Sequence, residues 1–81
     1  MIKILFFASL REQLGVAQIE FDLASPASID EIKSKLIEKG DVWKKAFSRP
    51  LLVAVNQEIV EQDTLVSPSS EIAFFPPVTG G

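Results

Sequence analysis

The sequence predicts an α+β fold in which one mixed β-sheet is covered on one face by a main helix. Apolar stretches of strand length lie towards both ends of the chain, and an amphipathic helical pattern lies between them. With 81 residues and 47% hydrophobic residues, the chain is long enough for one small core. We therefore predict one domain, residues 1–75, followed by an extended and flexible C-terminal tail, residues 76–81.

The N-terminal third is predicted to contain two strands and a short helix. In residues 2–7 (IKILFF), the polar Lys3 marks the outer face, so the residues that alternate with it face the core. Residues 8–14 (ASLREQL) predict a helix that ends at Gly15, because glycine readily takes the left-handed conformation that ends helices. A second alternating stretch, residues 18–23, predicts the next strand.

The main helix has a clear N-terminal signal. Ser28 and Glu31 have the spacing of a capping box, in which two side chains accept hydrogen bonds from otherwise unpaired backbone N–H groups. Gly40 is predicted to end the helix. One helical face is apolar and consists of Ile29, Ile32, Leu36 and Ile37.

The C-terminal half is predicted to contain one helical turn and three strands, at residues 41–48, 51–56, 59–60 and 71–75. Trp43 and Phe47 lie four residues apart, so the helical turn should place both on the core as a lid. In the last strand, Ile72 and Phe74 face one side of the sheet and Phe75 faces the other. Strands in this order around one helix predict a roll of the β-grasp type.

The composition excludes several classes of function. The chain has no Cys and no His, which removes disulfides, thiolate nucleophiles, the usual zinc sites and Ser-His-Asp triads. No carboxylates are placed together in a cleft by the pattern, so we predict no metal site and no catalysis by this chain alone. The net charge of −3 argues against nucleic acid as a partner. The apolar run of residues 4–10 is too short to span a membrane, and we predict a cytoplasmic protein.

The chain ends in FFPPVTGG, and this ending is the candidate functional segment. Pro76 and Pro77 should end the strand ladder and stiffen the exit, because proline has no N–H to donate. An extended tail of residues 76–81 reaches roughly 20 Å. The reactive atom would be the carboxyl carbon of Gly81. The residues predicted to thread a partner's site are Pro76, Pro77, Val78, Thr79 and Gly80. Terminal glycines alone are also compatible with a solvated end.

The chain resembles the small subunits of molybdopterin synthase, which are ubiquitin-like sulfur carriers. The resemblance covers essentially the whole chain and is carried by MIKILFFASLRE, LLVAVNQEIV and DTLVSPSSEIAFFPPVTGG. It implies a ubiquitin-like β-grasp fold. It also implies that a ubiquitin-activating-type enzyme adenylates Gly81 with ATP and magnesium, and that a persulfide donor converts the carboxylate to a thiocarboxylate. The tail would then donate sulfur to cyclic pyranopterin monophosphate, forming the molybdopterin dithiolene.

The resemblance further implies a heterotetramer of two small and two large subunits, in which the large subunits hold the catalytic pocket. This chain would bind no cofactor itself. The predicted partner interface is the outer face of the sheet, with Phe7, Ile59 and Phe75 as apolar contacts and Arg11 at the rim. Phe7 and Phe75 are equally compatible with a second small core. Two other functions stay open, which are sulfur transfer for thiamine thiazole synthesis and a ubiquitin-like modifier or interaction role.

Overall fold

The computed structural model describes residues 1–23 and 25–77 of the chain. Within these residues, helices and strands follow one another in the order β1 (Ile2–Phe6), α1 (Ala8–Leu14), β2 (Gln18–Phe21), β3 (Ala27–Ser28), α2 (Ile29–Ile37), α3 (Asp41–Ala46), β4 (Leu52–Val55), β5 (Glu58–Val60), β6 (Leu65–Val66) and β7 (Glu71–Phe75). The predicted α+β class is therefore confirmed.

In the described part of the chain, five strands form a mixed sheet in the order β2-β1-β7-β4-β5. β1 and β7 run parallel, and the other neighbours run antiparallel. The last strand, β7, therefore lies at the centre of the sheet. β3 and β6 pair separately as a two-stranded sheet that the sequence pattern did not predict.

The core lies between the inner face of the sheet and the helices. Phe6 of β1 and Phe74 of β7 are opposite each other and almost fully buried. Phe47, at the end of α3, meets both rings edge-on, with centroid distances of 6.3 Å to Phe6 and 5.1 Å to Phe74. Trp43 lies 5.6 Å from the Phe6 ring and stacks on Phe47. The predicted aromatic lid is therefore confirmed, and it holds α3 on β1 and on β7, the strand that leads into the tail.

Two boundary predictions need correction. The main helix α2 ends at Ile37 with Glu38 as its C-cap, so the prediction that Gly40 ends it is wrong. Gly40 instead precedes α3 as its N-cap, where its φ of +152° permits the sharp change of direction between the two helices. The second strand ends at Phe21, although Leu23 is buried as the alternating pattern predicted.

Candidate functional site

The root of the C-terminal tail is built into the central strand of the sheet. β7 pairs with β1 on one side and with β4 on the other, up to the pair of Phe75 with Leu52. Phe74 is fully buried, and its carbonyl oxygen accepts a hydrogen bond of 3.2 Å from the N–H of Phe7. β7 ends at Phe75, before the two prolines, as predicted. The tail therefore leaves the body from a fixed point.

The tail itself lies mostly outside the described residues. Pro76 is half-buried and Pro77 is exposed. Val78, Thr79, Gly80 and Gly81 are outside the described part of the chain, so their roles stay predictions. The structure fixes the point at which the tail starts, which is the end of β7 at Phe75.

The outer face of the sheet, opposite the helices, is apolar next to the tail root. Leu5, Ala73, Ala54 and Ile59 lie opposite one another across four strands, and Phe75 lies opposite Leu52. Phe7, which directly follows β1, is 46% exposed, and Ile59 is 67% exposed. We call this surface the outer apolar patch, and its members are Leu5, Phe7, Leu52, Ile59, Ala73 and Phe75, together with Ala54, which is only 8% exposed.

The patch follows from the alternation of the strands. Phe6, Val53 and Phe74 point into the core with 1%, 0% and 0% exposure. Side chains alternate along a strand, so the direct neighbours of these residues point to the outer face. A contiguous apolar surface on an open sheet face is typical of a site that binds another protein. The patch is therefore the candidate docking surface, and it adjoins the tail root.

The structure places the predicted interface residues near one another, without testing their role. Phe7, Phe75 and Ile59 share the outer face, and none of the three belongs to the core cluster. Arg11 is exposed and lies one helical turn after Phe7, with a hydrogen bond of 3.4 Å from the Arg11 N–H to the Phe7 carbonyl. Its position suits a rim contact, which stays a prediction.

Sequence reasoning missed four members of the patch, which are Leu5, Leu52, Ala54 and Ala73. Leu52 and Ala54 lie in a continuous apolar run, in which the two faces of a strand cannot be told apart by hydropathy. Alternation places Leu5 and Ala73 on the outer face, and the family resemblance implies that their strands run side by side and parallel, as β1 and β7 do, but neither identified the two residues as direct neighbours. The pairing register supplies that information.

The described residues contain neither a metal site nor a membrane-spanning helix. Across residues 1–23 and 25–77, no group of three or more acidic, His or Cys side chains is arranged to hold a metal ion. In the same residues, no helix has the length and apolar character needed to cross a bilayer.

Comparison of structures identifies the fold. The structure is similar to the crystal structure of SAMP1 from Haloferax volcanii, with a TM-score of 0.81, 22% sequence identity, and coverage of 99% of this chain and 98% of that one. The chain therefore has the ubiquitin-like β-grasp fold, as its mixed sheet and covering helix already indicated.

Comparison of sequences identifies the family. Residues 4–81 match the ThiS family, and the chain belongs to it. It is 45% identical to the molybdopterin synthase sulfur carrier subunit of Haemophilus influenzae and 40% identical to that of Escherichia coli. Both alignments cover 100% of this chain and 100% of the relative. The family resemblance predicted from the sequence is confirmed.

Proposed function

We propose that this protein is the sulfur carrier subunit of a molybdopterin synthase, and that it has no catalytic activity of its own. One structural observation carries the proposal: β7, the strand that leads into the C-terminal segment, lies at the centre of the sheet and ends beside an open apolar patch. Full-length identity of 40–45% to proteins with this name supports the choice of pathway.

The reactive group is the carboxylate of Gly81. In the first step, a carboxylate oxygen attacks the α-phosphorus of ATP on an activating enzyme of the ubiquitin-activating type, and pyrophosphate leaves. The outer sulfur of a persulfide donor then attacks the acyl carbon, and AMP leaves. A thiol cleaves the resulting S–S bond and frees the thiocarboxylate. Glycines suit this chemistry, because a narrow channel most easily encloses a backbone without β-carbons.

The second half of the cycle takes place on a large catalytic subunit. The loaded tail enters that subunit, where its sulfur displaces an oxygen substituent from a carbon of cyclic pyranopterin monophosphate. Water then hydrolyses the resulting thioester, so that the sulfur stays on the pterin and Gly81 leaves as a free carboxylate, and two such deliveries complete the molybdopterin dithiolene. The outer apolar patch docks the two proteins, with aromatic side chains such as Phe7 and Phe75 as anchors. Two small and two large subunits form the assembly. ATP and magnesium belong to the activating enzyme, and the modification that this chain carries to the large subunit is the C-terminal thiocarboxylate.

The test is the intact mass of the protein, purified with a native C-terminus from its own cells. We expect a species heavier by one sulfur-for-oxygen exchange, and we expect the same species after incubation of the purified chain with ATP, magnesium, a persulfide donor and the activating enzyme. A chain lacking Gly81 is the control and should never gain the sulfur. An unmodified mass under all these conditions would refute the proposal.

A second candidate is sulfur transfer for thiamine thiazole synthesis, which the match to the ThiS family favours. Both candidates predict the same thiocarboxylate, so the acceptor must separate them. Deletion of the gene should abolish molybdoenzyme activity and leave growth without thiamine intact. A requirement for thiamine with normal molybdoenzyme activity would select the second candidate. Covalent attachment of the chain to lysines of other proteins would instead indicate a modifier.

A further inference from the structure

A pocket of about 260 Å³ lies at the tail root, on the helix side of the sheet. We call it the tail-root pocket. Leu10 and Ala46 form its buried floor, at 2% and 1% exposure. The wall is completed by α1, by the loop before β4 and by the first two tail residues, and the other lining residues are Ser9, Gln13, Arg49, Pro50, Leu51, Pro76 and Pro77.

The pocket and the outer apolar patch flank the tail exit on opposite sides. Leu52 and Phe75 belong to the patch, and their direct neighbours Leu51 and Pro76 line the pocket. In an extended segment, successive side chains point to opposite faces, so each strand end contributes to both surfaces. A protein that encloses the tail on all sides must therefore pass over the pocket as well as the patch.

The size of the pocket suits one apolar side chain. A cavity of about 150 Å³ lined by apolar side chains is large enough to bind benzene. The tail-root pocket is larger, and its floor belongs to the hydrophobic core. It can therefore receive one leucine, methionine or phenylalanine side chain from outside.

The charge around the pocket indicates which kind of charged group of the partner lies next to that side chain. Arg49 lines the pocket, and Lys44 and Lys45 lie in the last turn of the adjacent helix α3. The end of α3 beside the pocket is thus basic, although the net charge of the chain is −3. An acidic partner segment fits it best.

We propose that the tail-root pocket is a second docking site for the large catalytic subunit that receives the tail, and that it takes up one aliphatic or aromatic side chain of that subunit beside a carboxylate that pairs with Arg49. The proposal rests on the proposed function, because it takes the tail to be held by a partner. It adds a contact on the helix side to the patch on the outer face. Two contacts on opposite sides fix the direction in which the tail enters the partner.

The test uses a matched pair of serine variants. Ser9 lines the pocket and Ser34 lies on α2 away from it, and both are exposed on helices. Ser9→Trp places an indole at the mouth of the pocket, whereas Ser34→Trp adds the same bulk elsewhere. Titration calorimetry should show that Ser9→Trp raises the Kd for the large catalytic subunit by about tenfold or more, which is the contribution expected of one buried apolar side chain. Ser34→Trp should bind like the wild type.

A pair of charge-reversal variants tests the same proposal in case Ser9→Trp does not fold. Arg49→Glu and Lys35→Glu change the net charge equally, and both positions are exposed. Arg49→Glu should weaken binding several-fold, with a smaller salt dependence than the wild type, and Lys35→Glu should not. If the wild type binds and both pocket variants bind within twofold of it, the pocket proposal is wrong and the proposed function stands. If the wild type does not bind the large subunit, both fail.

The chain's own tail is the competing occupant. Since the chain has no cysteine, Gln13→Cys gives a single thiol at the pocket for a fluorescent label that reports burial. We expect the emission of this label to change when the partner is added. A label that is already buried in the isolated chain, and that becomes exposed when residues 78–81 are deleted, would show that the tail fills the pocket and would overturn the proposal.

Discussion

The turn between β4 and β5 rests on two residues with unusual backbone conformations. Asn56 and Gln57 have φ values of +50° and +73°, which fits the type I′ turn found in hairpins whose loop has two residues. Asn56 also connects the hairpin to the start of β7, because its side-chain oxygen accepts a hydrogen bond of 3.0 Å from the Glu71 N–H. Its own N–H donates to the Glu71 carbonyl at 2.8 Å. Asparagine tolerates a positive φ well, whereas glutamine does not.

The first prediction is that Gln57→Gly stabilises the protein. Glycine removes the β-carbon clash at positive φ, and part of this gain is lost to the greater freedom of the unfolded chain, so the free energy of unfolding should rise by about 0.5–1 kcal/mol. Urea denaturation measures the change. Gln57→Ala keeps the β-carbon and should stay within about 0.5 kcal/mol of the wild type. An equal rise in both variants would contradict the turn argument.

At the scale of elements, α2 depends on its N-terminal cap. The Ser28 hydroxyl accepts a hydrogen bond of 3.2 Å from the Glu31 N–H, and the Glu31 carboxylate accepts one of 3.4 Å from the Ser28 N–H. The helix has nine residues, a length that is unstable in isolation. Its buried face and its cap must therefore stabilise it together, and the helix in turn covers the inner face of the sheet.

The second prediction is that Ser28→Ala lowers the free energy of unfolding by about 1 kcal/mol, because one helix N–H loses its acceptor. The matched control is Ser34→Ala in the same helix, where the hydroxyl only donates back to the Asp30 carbonyl at 3.0 Å. That change should be neutral or slightly stabilising, since alanine is the better helix former. Chemical denaturation of both variants measures the free energy of unfolding. If the capping box were unimportant, Ser28→Ala would change it no more than Ser34→Ala does.

These elements also show which parts of the fold the sequence could predict. The capping box was visible because both of its residues lie within one helical turn. The β3–β6 pair was not, because each strand has two residues and the pair of Ala27 with Val66 joins distant parts of the chain. Gly40 was misread for a related reason: glycine marks a break in helical structure, and only the geometry shows that it precedes α3 rather than ending α2.

At the scale of the whole molecule, the candidate site was predictable where polar and apolar residues alternate along a strand, and unpredictable where a strand is apolar throughout. Lys3 identified the outer face of β1, and therefore the outward position of Phe7. Leu52 gave no such signal, because residues 51–55 are apolar on both faces. The neighbourhood of Phe75, Leu52 and Ile59 depends on strand order and register, which follow from long-range pairing and not from local pattern.

The last prediction tests whether the outer apolar patch binds the large catalytic subunit. Ile59 is 67% exposed at the β5 end of the patch, and Leu65 is 69% exposed on β6, away from it. Ile59→Asp would place a carboxylate without a partner against an apolar surface, and we expect the Kd for the large subunit to rise by about tenfold or more. Leu65→Asp makes the same kind of change outside the patch and should leave the Kd unaltered.

The two aspartate variants are matched in stability as well as in chemistry. Both side chains are exposed residues of short strands, so the free energy of unfolding should stay within about 1 kcal/mol of the wild type in each case. Calorimetric titration with the large subunit then reports docking alone. Equal losses of affinity in the two variants would indicate a general effect of negative charge. No loss at Ile59 would confine the docking surface to Phe7, Phe75 and Leu52, which lie nearer the tail root.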